Sequence, residues 1–181
     1  GDALRVPEES ATFSSDIHRR ALPEARASSR LCVITGLSGS GKSTAMQVFE
    51  DLMYFTVDGL PARMAPEMVN LMSRPSMAHF KGIALGLDIR QSAFLNEIDD
   101  VLDELRTQGF KPQLIFLEAE TSEIMRRYAT TRRPHPLERE GIGLESAVLM
   151  ERKRLAQLRS QADMVINTCL LYTSPSPRDR Q

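Results

Sequence analysis

The segment GLSGSGKS, residues 36–43, constrains this chain more than any other feature. It sits between the apolar run LCVIT (31–35) and a stretch of helical period from about Lys42 to Met53 that presents Ala45, Met46, Phe49 and Leu52. Glycines at 36, 39 and 41 let a backbone curl until consecutive N–H groups point inward, where side chains would block an approaching ligand. The helix that follows adds the positive end of its dipole at the same point. Gly36, Leu37, Ser38, Gly39, Ser40, Gly41, Lys42 and Ser43 therefore form a candidate anion cradle, matching the phosphate-loop pattern G-x-x-x-x-G-K-[ST]. Lys42 is placed to reach the outer phosphates as a catalytic cation, and the Ser43 hydroxyl to ligate Mg²⁺. The implied ligand is a nucleoside triphosphate with magnesium. The dinucleotide pattern G-x-G-x-x-G fails, because Gly39-Ser40-Gly41 is followed by Lys42, Ser43 and Thr44, so a nicotinamide or flavin enzyme is not expected.

Downstream, short apolar runs alternate with helical periods, the pattern of a parallel sheet built from βαβ units. Strands are expected at 31–35, 54–57, 83–87, 113–117 and 164–167. A turn at Asp58-Gly59 leads to Pro61, suited to a first helical turn, and Met64, Met68 and Leu71 repeat at helical spacing after it. Leu95, Ile98, Val101, Leu102 and Leu105 mark an amphipathic helix closed by Gly109. A basic helix is expected over 121–130, ended by a loop with Pro134 and Pro136, and another over 144–160. The expected fold class is α/β, and the resemblance of this pattern to P-loop kinases implies a kinase-like P-loop NTPase three-layer sandwich around a five-stranded parallel sheet. Residues 1–30 mix charge, Ser and Ala without an apolar stripe and read as a flexible extension; 31–168 is the nucleotide-binding domain. The tail 169–181 offers no period, and we expect it to be foreign to the fold, the edge of a truncated gene.

The chain has 181 residues with 23 Lys and Arg against 24 Asp and Glu, a formal charge of -1. No whole-chain field recruits nucleic acid or anionic lipid. Apolar runs such as 31–34 and 114–117 fall far short of the ~20 residues a bilayer span requires, so no membrane association is expected. Two cysteines, Cys32 and Cys169, make no disulfide framework, and no secretory signal is visible; the expected location is cytoplasmic.

Magnesium needs a carboxylate at the end of a strand beside the phosphate loop. Asp88 and Glu118 qualify. Asp88 is preferred: it is the shorter and stiffer acid, suited to the water-filled shell of Mg²⁺, and Arg90 follows it, whereas Glu118 with Glu120 adds two negatives. Asp58 belongs to a turn dipeptide. From Arg126 to Arg139 the chain carries five arginines against Glu138. Guanidinium forks suit phosphate oxygens and RNA backbones alike, and Arg132 and Arg133 are the catalytic candidates. His135, between prolines, reads as structural.

Taken together, GLSGSGKSTA, YFTVDGLP (54–61), LDIR (87–90) and IFLEAE followed by RRYATTRRPHPL resemble the N-terminal domain of the RapZ/YvcJ nucleotide-binding family over about 31–168. The resemblance implies ATP binding at 36–43 and a second nucleotide segment, assigned to GTP, at Asp88, Ile89, Arg90 and Gln91. It also implies weak ATP and GTP hydrolysis and a bacterial cytoplasmic regulator of amino-sugar synthesis. Small RNA and an RNase would be met through a C-terminal domain, and self-association is left open. Gly59, Gln91 and Glu118 stand where the family usually has Asn, Asn or Gly, and Asp. A second class remains: a small-molecule kinase moving the ATP γ-phosphoryl group to a hydroxyl acceptor, with Asp58 as the candidate base.

Overall fold

The computed structural model describes residues 30–88, 94–131 and 133–170. Residues 1–29 of the expected extension 1–30, Ile89, Arg90, Gln91, Arg132 and the tail beyond 170 lie outside the described residues, as does the side chain of Leu95; Arg30 itself opens the first strand.

Five parallel strands form one sheet: β1 (Arg30–Gly36), β2 (Tyr54–Leu60), β3 (Gly82–Leu87), β4 (Pro112–Glu118) and β5 (Met164–Asn167), in the spatial order β2-β3-β1-β4-β5. Among the described residues five α-helices connect or cover them: α1 (Lys42–Asp51), α2 (Ala65–Met72), α3 (Phe94–Thr107), α4 (Thr121–Thr130) and α5 (Leu144–Gln161). Alternation along each strand sends side chains to both faces. Leu31, Val33, Ile83, Leu85, Leu114 and Phe116 join one buried cluster with residues of α2, α3, α4 and α5. Cys32, Ile34, Ala84, Ile115 and Leu117 join a smaller one with Met46 of α1. Helices therefore lie on both faces, which gives the three layers.

Helix α3 shows its sequence logic most plainly. Ile98, Val101, Leu102 and Leu105 are all buried. The helix ends in a Schellman arrangement, Phe110 N–H donating to Leu105 C=O and Gly109 N–H to Arg106 C=O, both at 3.0 Å, with Gly109 at φ 93°.

Three expectations need correction. The expected turn at Asp58-Gly59 is a register shift inside β2, which continues until Leu60 pairs with Leu87; a bulge absorbs the turn dipeptide without ending the strand. The Met64, Met68 and Leu71 stripe is not the buried face of α2, because Met64 and Leu71 are half-exposed while Ala65, Val69 and Met72 are buried. A 3₁₀ turn over Ala62–Met64 precedes the helix, and its tighter winding resets the phase. Leu52, expected on the apolar face of α1, lies past the helix end and is half-exposed. At the chain's far edge, Thr168–Leu170 form a further 3₁₀ turn, and Cys169 packs against the larger cluster. Cys169 and Leu170 belong to the segment 169–181 expected to be foreign to the fold.

Candidate functional site

β1 delivers the glycine-rich loop at its carboxyl end, where α/β sheets place their ligands. Gly36 sits at φ 154°, and a Cβ there would come 2.2 Å from the Leu117 carbonyl oxygen; only glycine lets the loop leave this close beside β4. Gly41 takes a left-handed conformation at φ 91° as the residue before α1, which turns the open first-turn N–H groups of the helix toward the loop. Leu37 N–H ties the loop to β4 by donating to Leu117 C=O at 3.0 Å, and Ser40 N–H closes the curve on Leu37 C=O at 3.1 Å.

A cleft of about 1020 Å³ opens over this loop, and its walls include Gly36, Leu37, Ser38, Gly39, Gly41, Lys42 and Ser43. Lys42 Nζ donates to the Leu87 carbonyl at 3.1 Å and lies 3.7 Å from Asp58 Oδ1. The loop cation is thereby held extended across the end of β3. Asp88, Asp58, Arg126 and Arg127 line the same cleft. The chain thus brings together the loop, the lysine, the serine hydroxyl, the β3-end carboxylate and two arginines.

Other candidates fall elsewhere. Glu118 is not among the cleft residues; Arg159 takes both of its oxygens, at 2.7 and 3.0 Å, and this guanidinium holds its carboxyl below the usual range. Arg133 is exposed and Arg132 lies outside the described residues; among the described residues, the arginines lining the cleft are Arg126 and Arg127 on α4. Arg127 Nη1 donates to the Gly39 carbonyl at 2.6 Å. Arg126 pairs with Glu123 and lowers that carboxyl's pKa. His135 is fully buried and caps a 3₁₀ turn through its side chain, in keeping with a structural part.

Sequence reasoning did not find Glu151. Its carboxylate accepts the Ser38 N–H at 2.6 Å and the Ser38 hydroxyl at 2.7 Å. Helical period and charge mark it only as one acidic residue on α5. Thr168 was likewise unforeseen; its hydroxyl donates to the Ser40 carbonyl at 2.6 Å.

Among the described residues no group of three or more His, Cys, Asp or Glu could hold a metal. The donor set does fit Mg²⁺, which keeps waters and takes one or two protein oxygens together with phosphate; Ser43 and Asp88 share the cleft. No described helix is long and apolar enough to cross a membrane.

A parallel sheet in this order, with a G-x-x-x-x-G-K-S loop between its central strand and a helix, defines a P-loop α/β domain of the kinase-like kind. Residues 29–177 match the RapZ-like N-terminal domain, and the chain belongs to that family. A "Nucleotide-binding protein" of Desulfovibrio desulfuricans is 62% identical over 138 residues, covering 76% of this chain and 44% of that protein. Another, from Nitratidesulfovibrio vulgaris strain DP4, is 54% identical over 136 residues, covering 75% and 45%. The chain spans less than half the length of these relatives. Among solved structures, shikimate kinase from Bacteroides thetaiotaomicron aligns with a TM-score of 0.48 at 16% identity, covering 76% of this chain and 85% of that one.

Proposed function

We propose that the cleft binds a nucleoside triphosphate, ATP or GTP, with Mg²⁺ and hydrolyses it slowly. The observation that carries this reading is the placement of Lys42: among the described residues, its ammonium group is partnered by the Leu87 carbonyl and the half-exposed Asp58. An outer phosphate can take over from Asp58 as counter-ion. The glycine loop and the first turn of α1 supply backbone N–H groups to inner phosphates. Bound Mg²⁺ would neutralise charge on the outer phosphate oxygens, with Ser43 and Asp88 as its protein-side groups. Arg127, and the Arg132 and Arg133 pair, provide guanidinium charge for the transferring group. Ile89, Arg90 and Gln91 continue the nucleotide segment from Asp88.

In the longer protein this domain acts as the nucleotide-sensing half of a cytoplasmic regulator, an RNase adaptor in amino-sugar control. The small RNA and RNase contacts fall in the length this chain does not span. Titration calorimetry with ATP and GTP in magnesium, alongside phosphate release, tests the reading. Heat and release with either nucleotide support it; neither heat nor release with both would contradict it.

Asp58 keeps a second reading in play. It lines the cleft beside Lys42, where a carboxylate can serve as base for a hydroxyl acceptor. ADP release that depends on an added sugar or nucleoside favours such a kinase; release indifferent to acceptors favours the regulatory NTPase.

A further inference from the structure

Three consecutive residues of the phosphate loop are each held by a group far along the chain. Ser38 gives its N–H and its hydroxyl to Glu151. The Gly39 carbonyl accepts from Arg127, and Gly39 lies under the Tyr128 ring so closely that a Cβ would come 2.8 Å from Tyr128 Cε2. The Ser40 carbonyl accepts from Thr168. Glu151 is in turn faced by His135, whose Nε2 lies 3.5 Å from Glu151 Oε1; the two side chains are 0% and 14% exposed.

The ring of His135 is fixed by its own turn. Nδ1 accepts the Leu137 N–H at 3.1 Å, and the His135 N–H donates to Glu138 Oε2 at 2.8 Å. Since Nδ1 is an acceptor, the neutral imidazole carries its proton on Nε2, the nitrogen turned to Glu151. That N–H is buried and makes no hydrogen bond among the described residues. A separation of 3.5 Å is long, and a buried donor gains by closing on an acceptor.

We infer that His135 and Glu151 are positioning residues for the phosphate loop: the His135 Nε2–H orients the Glu151 carboxylate, and the carboxylate fixes the Ser38 arm of the loop. The inference rests on the nucleotide-binding reading of that loop. Through this pair the proline-flanked turn within the arginine-rich stretch bears on loop curvature, so the turn around His135 does more than cap itself.

Two amide substitutions separate the nitrogens. His135→Asn keeps an acceptor near Nδ1 and remains a good cap but has nothing at Nε2; His135→Gln places a donor near Nε2 and loses the cap acceptor. On the whole chain, ATP with Mg²⁺ is titrated by calorimetry, and exchange of the Ser38 amide hydrogen is followed by NMR without nucleotide. The expected result for His135→Asn is an affinity loss of about tenfold with faster Ser38 exchange, while His135→Gln stays within about threefold and keeps Ser38 protected. Glu151→Ala matches His135→Asn, and the two together are no worse than either. A purely structural histidine gives the reverse order, with Asn tolerated and Gln damaging, and that result overturns the inference. If both histidine variants unfold, Glu151→Ala decides, unchanged Ser38 exchange being the contrary outcome. If the wild type binds no nucleotide, the functional reading falls and Ser38 exchange alone judges the pair by the same order.

Discussion

Arg159 grips Glu118 through both carboxylate oxygens, Nε to Oε2 at 2.7 Å and Nη2 to Oε1 at 3.0 Å, which turns the acid at the end of β4 toward α5. Asp88, at the end of β3 on the other side of β1, lines the cleft instead. Asp88→Asn should therefore lower triphosphate hydrolysis on the order of tenfold or more and raise the magnesium requirement, as loss of an outer-sphere carboxylate does. Glu118→Gln should leave both near wild type. Phosphate release over a magnesium titration compares the two, and a Glu118→Gln defect with a normal Asp88→Asn would reverse the assignment.

The same pair sets an acid-side signature. Arg159, chiefly by its hydrogen bonds, lowers the folded pKa of Glu118, so the stabilisation is present above the ordinary carboxylate range and is lost as pH falls through the lowered value. The arginine side chain is half-exposed, so solvent screening keeps the contribution of the pair small. Melting curves across acidic pH should show wild type and Glu118→Gln converging as pH drops; a constant gap between them would refute the linkage.

Thr168→Val tests the clasp on Ser40. The substitution keeps the shape and deletes the buried hydroxyl donor to the Ser40 carbonyl, at a cost of about 1–3 kcal/mol in denaturant unfolding. An unchanged midpoint would show that the loop does not depend on the turn over Thr168–Leu170.

Arginine roles separate by kinetics. Replacing Arg132 and Arg133 together by Ala should weaken hydrolysis more than nucleotide binding, since guanidinium groups matter most where charge spreads in the transition state. Arg127→Ala should lower both, because Arg127 also holds the Gly39 carbonyl. Equal loss of affinity and turnover in the double variant would mark that pair as phosphate anchors.

Much of the architecture was legible because strand cores carry unbroken apolar runs: α4 and β5 begin and end where their patterns do, and the buried stripe Ile98, Val101, Leu102 and Leu105 was readable residue by residue. The phosphate loop was legible because its glycines, lysine and serine are contiguous. The α2 face was not, since apolar residues at 62, 64, 65, 68, 69, 71 and 72 offer two stripes and the 3₁₀ turn before the helix selects between them. Nor was the hold on Ser38, because Glu151 lies 113 residues away and only the packing of α5 brings it there.

The account stands or falls on whether Lys42 serves phosphate. Titrating ATP with Mg²⁺ into the wild type and into Lys42→Ala, with circular dichroism on both, should show a wild-type binding heat and an affinity at least about 100-fold weaker in the variant, with the same spectrum and melting temperature, because Lys42 projects into the cleft and not into the core. Equal affinity in a folded Lys42→Ala protein would contradict it.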